Sequence, residues 1–396
     1  MTASSMPADV FVLGGVRTPF GRYGGGLANV RPDDLAAHVL SSLAERTGLD
    51  PAQVDEVVFG DANQAGEDNR NVARMALLLA GWPTSVPATT VNRLCGSGMD
   101  AVVQGSRSIA VGDASLVVAG GVESMSRAPW VVQKPAKGYP AGNGTLHSTT
   151  LGWRMVNPAM PGRWTISLGE ATELLAEKYG ISREQQDEFA LRSHRLAAAA
   201  WDSGFYKEHV VEVAGCGLER DEGIRAETSL DKLAELKPAF RANGTVTAGN
   251  ASPLTDGACA VLLGDAAAAD KLGLTPLARI ASRGAAGVDP ELFGIGPVNA
   301  ARTALARAGI EWADLSAVEL NEAFAAQSLA CLAEWPDLDP DVVNVNGGAI
   351  AIGHPLGASG ARITLQLAQE LHRRGGWGLA SLCIGVGQGL ALVLDA

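Results

Sequence analysis

The stretch Val91–Ser124, VNRLCGSGMDAVVQGSRSIAVGDASLVVAGGVES, decides the fold class. Cys95 stands in a glycine-rich turn. The run after it has helical spacing, with Met99, Val102, Val103 and Ile109 on one apolar face, and SLVVAGGVES reads as a short apolar strand. Working outward, VFVLGGVR and VDEVVFG read as buried strands, and DDLAAHVLSSLAERTG and NVARMALLLAGW as helices. Arg31-Pro32-Asp33 offers the first helix a start and Gly48 a stop. Alternating strands and helices predict a layered α/β core. From about Ser124 to Asn243 the rhythm breaks. Pro, Gly and Trp cluster between Pro129 and Trp164, and long charged helices follow, which reads as an insertion over the core. The rhythm then resumes to the end of the chain. Two α/β halves, each with reactive residues in glycine-rich turns, predict a duplicated fold with the site between them.

Bulk properties narrow the function. The 396 residues suffice for two or three domains. With 47% apolar but only 5% aromatic residues, the core must be aliphatic, as suits buried parallel strands under helices. A net charge of −12 argues against a nucleic-acid partner but leaves room for an anionic small ligand. The five cysteines are odd in number and lack a C-x-x-C pair, so a reduced compartment is expected and no metal site. Cys216, Cys259 and Cys331 read as small buried apolar residues. No apolar run is long enough to span a membrane, and MTASSMPADV lacks the features of a secretory leader. A cytoplasmic enzyme fits best.

Three segments carry the chemistry. Cys95 opens a helix through Gly96-Ser97-Gly98, where peptide dipoles would favour its thiolate and small neighbours would admit a substrate carbonyl. Ser97 is a rival nucleophile, but Cys-Gly-Ser-Gly lacks the G-x-S-x-G spacing. His354, in NGGAIAIGHPLGASGAR (346–362), precedes a helix begun at Pro355 and can accept a proton. His38, His147, His194, His209 and His372 sit in ordinary contexts. Cys383, in SLCIGVGQG (381–389), ends a strand at a tight turn that would expose it with a backbone N–H. The Gly385–Gly389 run is no dinucleotide loop, because no helix follows it. Two thiols and an imidazole supply a nucleophile, its base and a second proton carrier.

The chain resembles a thiolase over essentially its whole length. VNRLCGSGMDA (91–101), AGGVESMSRAP (119–129), TVTAGNASPLTDGA (245–258), NEAFAAQ (321–327), NVNGGAIAIGHPLGASGAR (344–362) and LCIGVGQG (382–389) look like thiolase motifs in order. The resemblance implies two βαβαβαββ halves in an α/β/α/β/α core with an inserted loop domain. Residues 1–123 and 244–270 would form the N-terminal half, 124–243 the loop domain and 271–396 the C-terminal half. It implies cleavage of a 3-ketoacyl-CoA by CoA to acetyl-CoA and a shortened acyl-CoA. Cys95 would carry the acyl group, His354 would activate it, and Cys383 would move a proton at the substrate α-carbon. Asn321 would hold a water that forms one oxyanion hole with His354; the N–H groups of Cys95 and Gly385 would form the other. Coenzyme A would be a substrate, with no permanently bound cofactor. Arg225 would face its nucleotide, Ser252 its pantetheine, and Ala248, Phe240 and Phe324 would line the channel. A homodimer or homotetramer is implied, with the 124–165 excursion a contact.

Subtype features point to degradation. Asn92-Arg93-Leu94, Gly152-Trp153-Arg154 and Val156-Asn157-Pro158 look like 3-oxoadipyl-CoA and related thiolases, Ser167-Leu168-Gly169 is closer to degradative enzymes, and Phe293 stands where many short-chain enzymes have Met. A dicarboxylic substrate wants a cation, for which Arg163 in the unusual Pro161–Trp164 segment is a candidate. Alternatives are an acetoacetyl-CoA-forming thiolase, a ketoacyl synthase-like condensing enzyme and a non-catalytic acyl-CoA carrier.

Overall fold

The computed structural model describes residues 8–396; most of the MTASSMPADV segment therefore lies outside the described residues. The first half of the core runs β1 (Phe11–Arg17), β2 (Gly21–Arg22), α1 (Pro32–Thr47), β3 (Glu56–Gly60), α2 (Val72–Leu79), β4 (Ala88–Val91), α3 (Ser97–Ala110) and β5 (Leu116–Ser124). An insertion follows, with the hairpin β6 (Trp130–Val132) and β7 (Leu146–Ser148), then α4 (Leu168–Tyr179), α5 (Arg183–Asp202) and α6 (Leu230–Ala234). The chain returns to the core at β8 (Thr255–Gly264) and α7 (Ala266–Leu272). The second half comprises β9 (Ala278–Gly287), α8 (Gly296–Ala308), β10 (Leu315–Leu320), α9 (Ala325–Ala333), α10 (Ala349–Ile352), α11 (Leu356–Arg374), β11 (Trp377–Ile384) and β12 (Gln388–Asp395).

Local chemistry explains the boundaries. Pro32 occupies the first turn of α1, where its missing N–H costs nothing, and Gly48 ends the helix at φ 66°. Ser182 and Gln185 cap each other's backbone at the start of α5.

The strands lie in the order β4-β3-β5-β8-β1 in one half and β10-β11-β12-β9 in the other. Val343 adds a single parallel bridge to Val318 of β10. Counting that bridge as a vestigial third strand, both halves follow the same order, 3-2-4-5-1. The connection between the third position and its helix leads to Cys95 in the first half and His354 in the second. Among the described residues the two sheets join edge to edge where β1 pairs with β9, in register at Phe11–Arg279 and Val12–Ala278.

Side-chain alternation builds the layers. Val57, Phe59, Val118 and Leu262 point outward to Leu35, Leu40 and Leu43 of α1 and Leu77 of α2, while Val58, Val117 and Val261 point inward. The inward side chains meet α3 and α11, which lie between the sheets; α8 covers the far face of the second sheet. Every residue from Gly357 to Ala368 of α11 is buried, the pattern of a helix enclosed on all sides. Two of its polar members meet one carboxylate: Gln366 donates to Glu319 at 2.9 Å, and Arg362 lies 3.5 Å from the same group.

The insertion is bolted to the core by a buried ion pair. Asp221 accepts two hydrogen bonds from Arg17 of β1 at 2.6 and 2.8 Å, one from the Phe20 N–H and one from the Trp201 indole. Every oxygen of this carboxylate is occupied, as a buried charge requires.

Candidate active site

Cys95 follows a turn with an unusual backbone. Leu94 has φ 47°, a left-handed conformation costly for a leucine. Ser97 holds the turn by accepting from the Arg93 N–H at 2.9 Å and donating to the Leu94 carbonyl at 2.6 Å. Its hydroxyl is thereby consumed and fully buried, which removes Ser97 as a rival nucleophile. The N–H groups of Gly385 and of Cys95 itself point at the sulfur and favour the thiolate. Burial nevertheless dominates and pushes the thiol up to about 11. The expected thiolate is therefore not the resting form.

His354 is fixed from two sides. Its N–H donates to Thr255 Oγ1 at 3.0 Å, and its Nδ1 lies 2.6 Å from Ser359 Oγ. Ser359 donates its only hydrogen to the Pro355 carbonyl at 2.9 Å, so it can only accept from the ring. Nδ1 thus carries the proton and Nε2 presents a bare lone pair. Burial, assisted by Arg362, lowers the imidazole to about 3, which keeps it neutral.

Two crossing helix starts bring these residues together. A Cβ on Gly98 would stand 2.6 Å from the Gly357 carbonyl, and one on Gly360 would collide with Met99 N. Only glycines allow α3 and α11 to approach this closely.

Cys95, His354 and Gly385 line one cavity of about 570 Å³. Its remaining wall is mostly apolar, including Leu94, Met125, Leu168, Phe293 and Leu356. Glu123 also reaches it; its Oε2 accepts from Ala62 N at 3.1 Å and Gly357 N at 2.9 Å. Burial raises this carboxyl to about 7.

Cys383 lies behind that wall. It is fully buried on β11 and packs with Ala171, Val246, Phe293, Ala323 and Phe324, which corrects the expectation that the turn exposes it. Burial first, then the neighbouring Cys95, raises its thiol well above the ordinary range. The turn itself follows expectation, with Val386 at φ 66° and Gly387 at φ 74° linking β11 to β12. Asn321, at the end of β10, is also fully buried. Arg362 Nη2 lies 3.4 Å from its Oδ1, and its Nδ2 stands 3.4 Å from each ring nitrogen of His354.

Of the five residues expected to meet coenzyme A, Phe240, Ser252 and Phe324 line the cavity. Arg225 and Ala248 are exposed and stand off its wall. Arg163 is 68% exposed and lies 3.5 Å from Glu291, whereas Arg154 is on the wall. Cys259 and Cys331 are buried as expected; Cys216 is not. Among the described residues no acidic, His or Cys cluster could hold a metal ion, and no helix is long and apolar enough to cross a membrane.

Comparison with known proteins accounts for this geometry. The thiolase N-terminal domain family matches residues 10–267, and the thiolase C-terminal domain family matches 274–396. The chain belongs to the thiolase family. This thiolase is 52% identical over 399 residues to the 3-oxoadipyl-CoA/3-oxo-5,6-dehydrosuberyl-CoA thiolase of Escherichia coli K12, covering 98% of this chain and 99% of that one. It is also 52% identical over 397 residues to the beta-ketoadipyl-CoA thiolase of Pseudomonas putida, with the same coverage. Its fold superimposes on the Bacillus anthracis acetyl-CoA acetyltransferase with a TM-score of 0.92 and 42% identity, covering 99% of this chain and all of the other. Human mitochondrial 3-ketoacyl-CoA thiolase in complex with CoA gives 0.92 at 41% identity, over 99% and 98% of the two chains. The chain is thus an acyltransferase that cleaves 3-ketoacyl-CoA with CoA, on the duplicated α/β fold. Sequence reasoning did not assign roles to Glu123 or Ser359. Glu123 lies inside the thiolase-like AGGVESMSRAP motif (119–129), and that position was the available signal.

Proposed function

We propose that this thiolase degrades 3-oxoadipyl-CoA or a closely related dicarboxylic 3-ketoacyl-CoA, through an acyl-Cys95 intermediate. The observation that carries the mechanism is that Cys95, His354 and Gly385 open into one cavity, with Cys383 directly behind it. The names and 52% identities of the two bacterial relatives support the substrate class.

In the first half-reaction Cys95 gives its proton to His354 Nε2 as sulfur attacks the 3-keto carbon. The neutral resting pair means that charge appears only as the bond forms. The N–H groups of Cys95 and Gly385 stabilise the tetrahedral oxyanion. The C2–C3 bond then breaks, leaving acyl-Cys95 and the enolate of acetyl-CoA. A water held by Asn321 and the ring of His354 stabilise the enolate oxygen, and Cys383 protonates its carbon. In the second half-reaction the incoming CoA thiol returns a proton to Cys383 and attacks the acyl group. Cys95 leaves and recovers its proton from His354. Run in reverse, the same steps make a Claisen condensation.

Coenzyme A is a substrate with no resident cofactor. Phe240, Ser252 and Phe324 take its pantetheine arm from the cavity wall, with Ala248 and Arg225 farther out toward the nucleotide. On this reading residues 1–123 and 244–270, 124–243 and 271–396 serve as N-terminal half, CoA-binding loop domain and C-terminal half. A cytoplasmic dimer or tetramer fits the exposed apolar residues Trp130, Val132 and Leu146 on the β6–β7 hairpin.

The test combines trapping and turnover. Succinyl-CoA radiolabelled in its acyl group, the shortened product of 3-oxoadipyl-CoA cleavage, should label Cys95 in wild type and in Cys383→Ala, while Cys383→Ala fails to cleave 3-oxoadipyl-CoA. Absence of label on Cys95 in both proteins rejects the covalent mechanism. A wild type that cleaves acetoacetyl-CoA but no dicarboxylic substrate rejects the substrate class.

A further inference from the structure

The cavity wall holds one cation that the bond-breaking steps do not use. Arg154 is the sole basic side chain among the lining residues, if the neutral His354 is set aside. Among the described residues it makes no salt bridge, although Arg163, Arg183 and Arg241 of the same insertion each have a carboxylate. The one acidic group on the wall, Glu123, spends an oxygen on two main-chain N–H groups instead.

The segment that carries Arg154 is tied down. At one end Asn63 donates to the Thr149 carbonyl at 3.1 Å and to its hydroxyl at 2.8 Å, and that hydroxyl donates to the Pro129 carbonyl at 2.6 Å. Beside the arginine, the Trp153 indole N–H donates to the Ile166 carbonyl at 2.9 Å. A half-buried guanidinium on such a segment, facing an apolar cavity, is organised to receive a planar anion in two parallel hydrogen bonds. Two anions could supply it. The phosphates of CoA are separated from the reacting thioester by the whole uncharged pantetheine arm. A terminal carboxylate on the acyl chain lies only a few bonds from the carbon that Cys95 attacks.

We propose that Arg154 receives the terminal carboxylate of the acyl chain and so selects dicarboxylic 3-ketoacyl-CoA over its uncharged counterpart. The proposal rests on the substrate class inferred above and replaces Arg163 in the role of acyl-end cation.

The experiment compares wild type, Arg154→Met and Arg154→Lys in thiolysis of 3-oxoadipyl-CoA and of 3-oxohexanoyl-CoA, which has the same chain length without the carboxylate. The KM for CoA is measured alongside, and thermal melting checks that each variant folds. The ratio of kcat/KM between the charged and uncharged substrates should fall about 10- to 100-fold in Arg154→Met, the range for losing a charged hydrogen-bond partner, with partial recovery in Arg154→Lys. A fall shared equally by both substrates, or one confined to the KM for CoA, overturns the proposal in favour of a structural or phosphate-binding arginine. An unchanged ratio overturns it as well. Wild type with no preference for the charged substrate overturns the substrate class and this proposal together, whereas wild-type preference retained in Arg154→Met overturns this proposal alone.

Discussion

His354 Nδ1 and Ser359 Oγ stand 2.6 Å apart across the first turn of α11, and the serine's hydrogen is committed to the Pro355 carbonyl. The contact makes Ser359 the residue that decides which imidazole nitrogen is free to accept a proton.

Ser359→Ala removes that decision while leaving the ring in place. Thiolysis should lose about 10- to 100-fold in kcat, as expected when a buried N–H is left unpaired, with little change in the KM for CoA. Steady-state kinetics checks this, and Ser359→Thr should recover part of the rate. Equal kcat in Ser359→Ala and wild type would mean that the tautomer is set elsewhere.

Gly357 offers a purely steric test. A Cβ there would run into the Val122 carbonyl oxygen and lie 2.7 Å from that of Gly60. Gly357→Ala should cost about 3 kcal/mol, the upper end of ordinary overpacking, read from urea unfolding. Activity should fall too, because His354 lies three residues before the displaced backbone.

Cys95 is held as a thiol by burial first and by the Glu123 charge in addition. Glu123 titrates at about 7, so its anion opposes thiolate formation only above that point. Iodoacetamide modification of Cys95, followed by mass spectrometry, should run severalfold faster in Glu123→Gln than in wild type at alkaline pH. The gap should close below about pH 7 as the wild-type carboxyl gains its proton. A constant gap at every pH would point to altered access instead.

Burial, partly offset by Arg362 and Gln366, raises the Glu319 carboxyl from 4.5 to about 8. Between these values the unfolded chain has lost this proton and the folded chain keeps it, so rising pH favours unfolding. The stability of wild type relative to Glu319→Gln should therefore decline from pH 5 to about 8 and then level off. Chemical denaturation at a series of pH values measures it; a difference that is flat or rises with pH contradicts the assignment.

Much of the site was legible because its chemistry demands small neighbours. Cys95, His354 and Cys383 each stand among glycines, and Pro32 and Gly48 mark the ends of α1 openly. Other features depend on burial, which local sequence does not report. Glycines after Cys383 suggested an exposed thiol, yet the sulfur lies among Phe293, Phe324 and Ala323. The helix start beyond Cys95 suggested a thiolate, but desolvation outweighs it. The third strand of the second half could not be read from VVNVNGG, because a single bridge at Val343 is all that remains of it. Choosing between Arg154 and Arg163 required knowing which of two nearby arginines turns toward the cavity and which toward Glu291.

The crossing of α3 and α11 has an electrostatic consequence. Each half of the duplication brings the electropositive start of a long helix to the wall of the shared cavity, where the first-turn N–H of Gly357 is met by Glu123. A chain with a net charge of −12 thereby concentrates positive potential at its centre without placing a lysine there. Because that field arises from main chain and from the Arg362 guanidinium, both sealed inside the protein, dissolved ions screen it poorly. The bond-making steps should accordingly tolerate high ionic strength far better than the capture of the highly charged nucleotide tail at the surface.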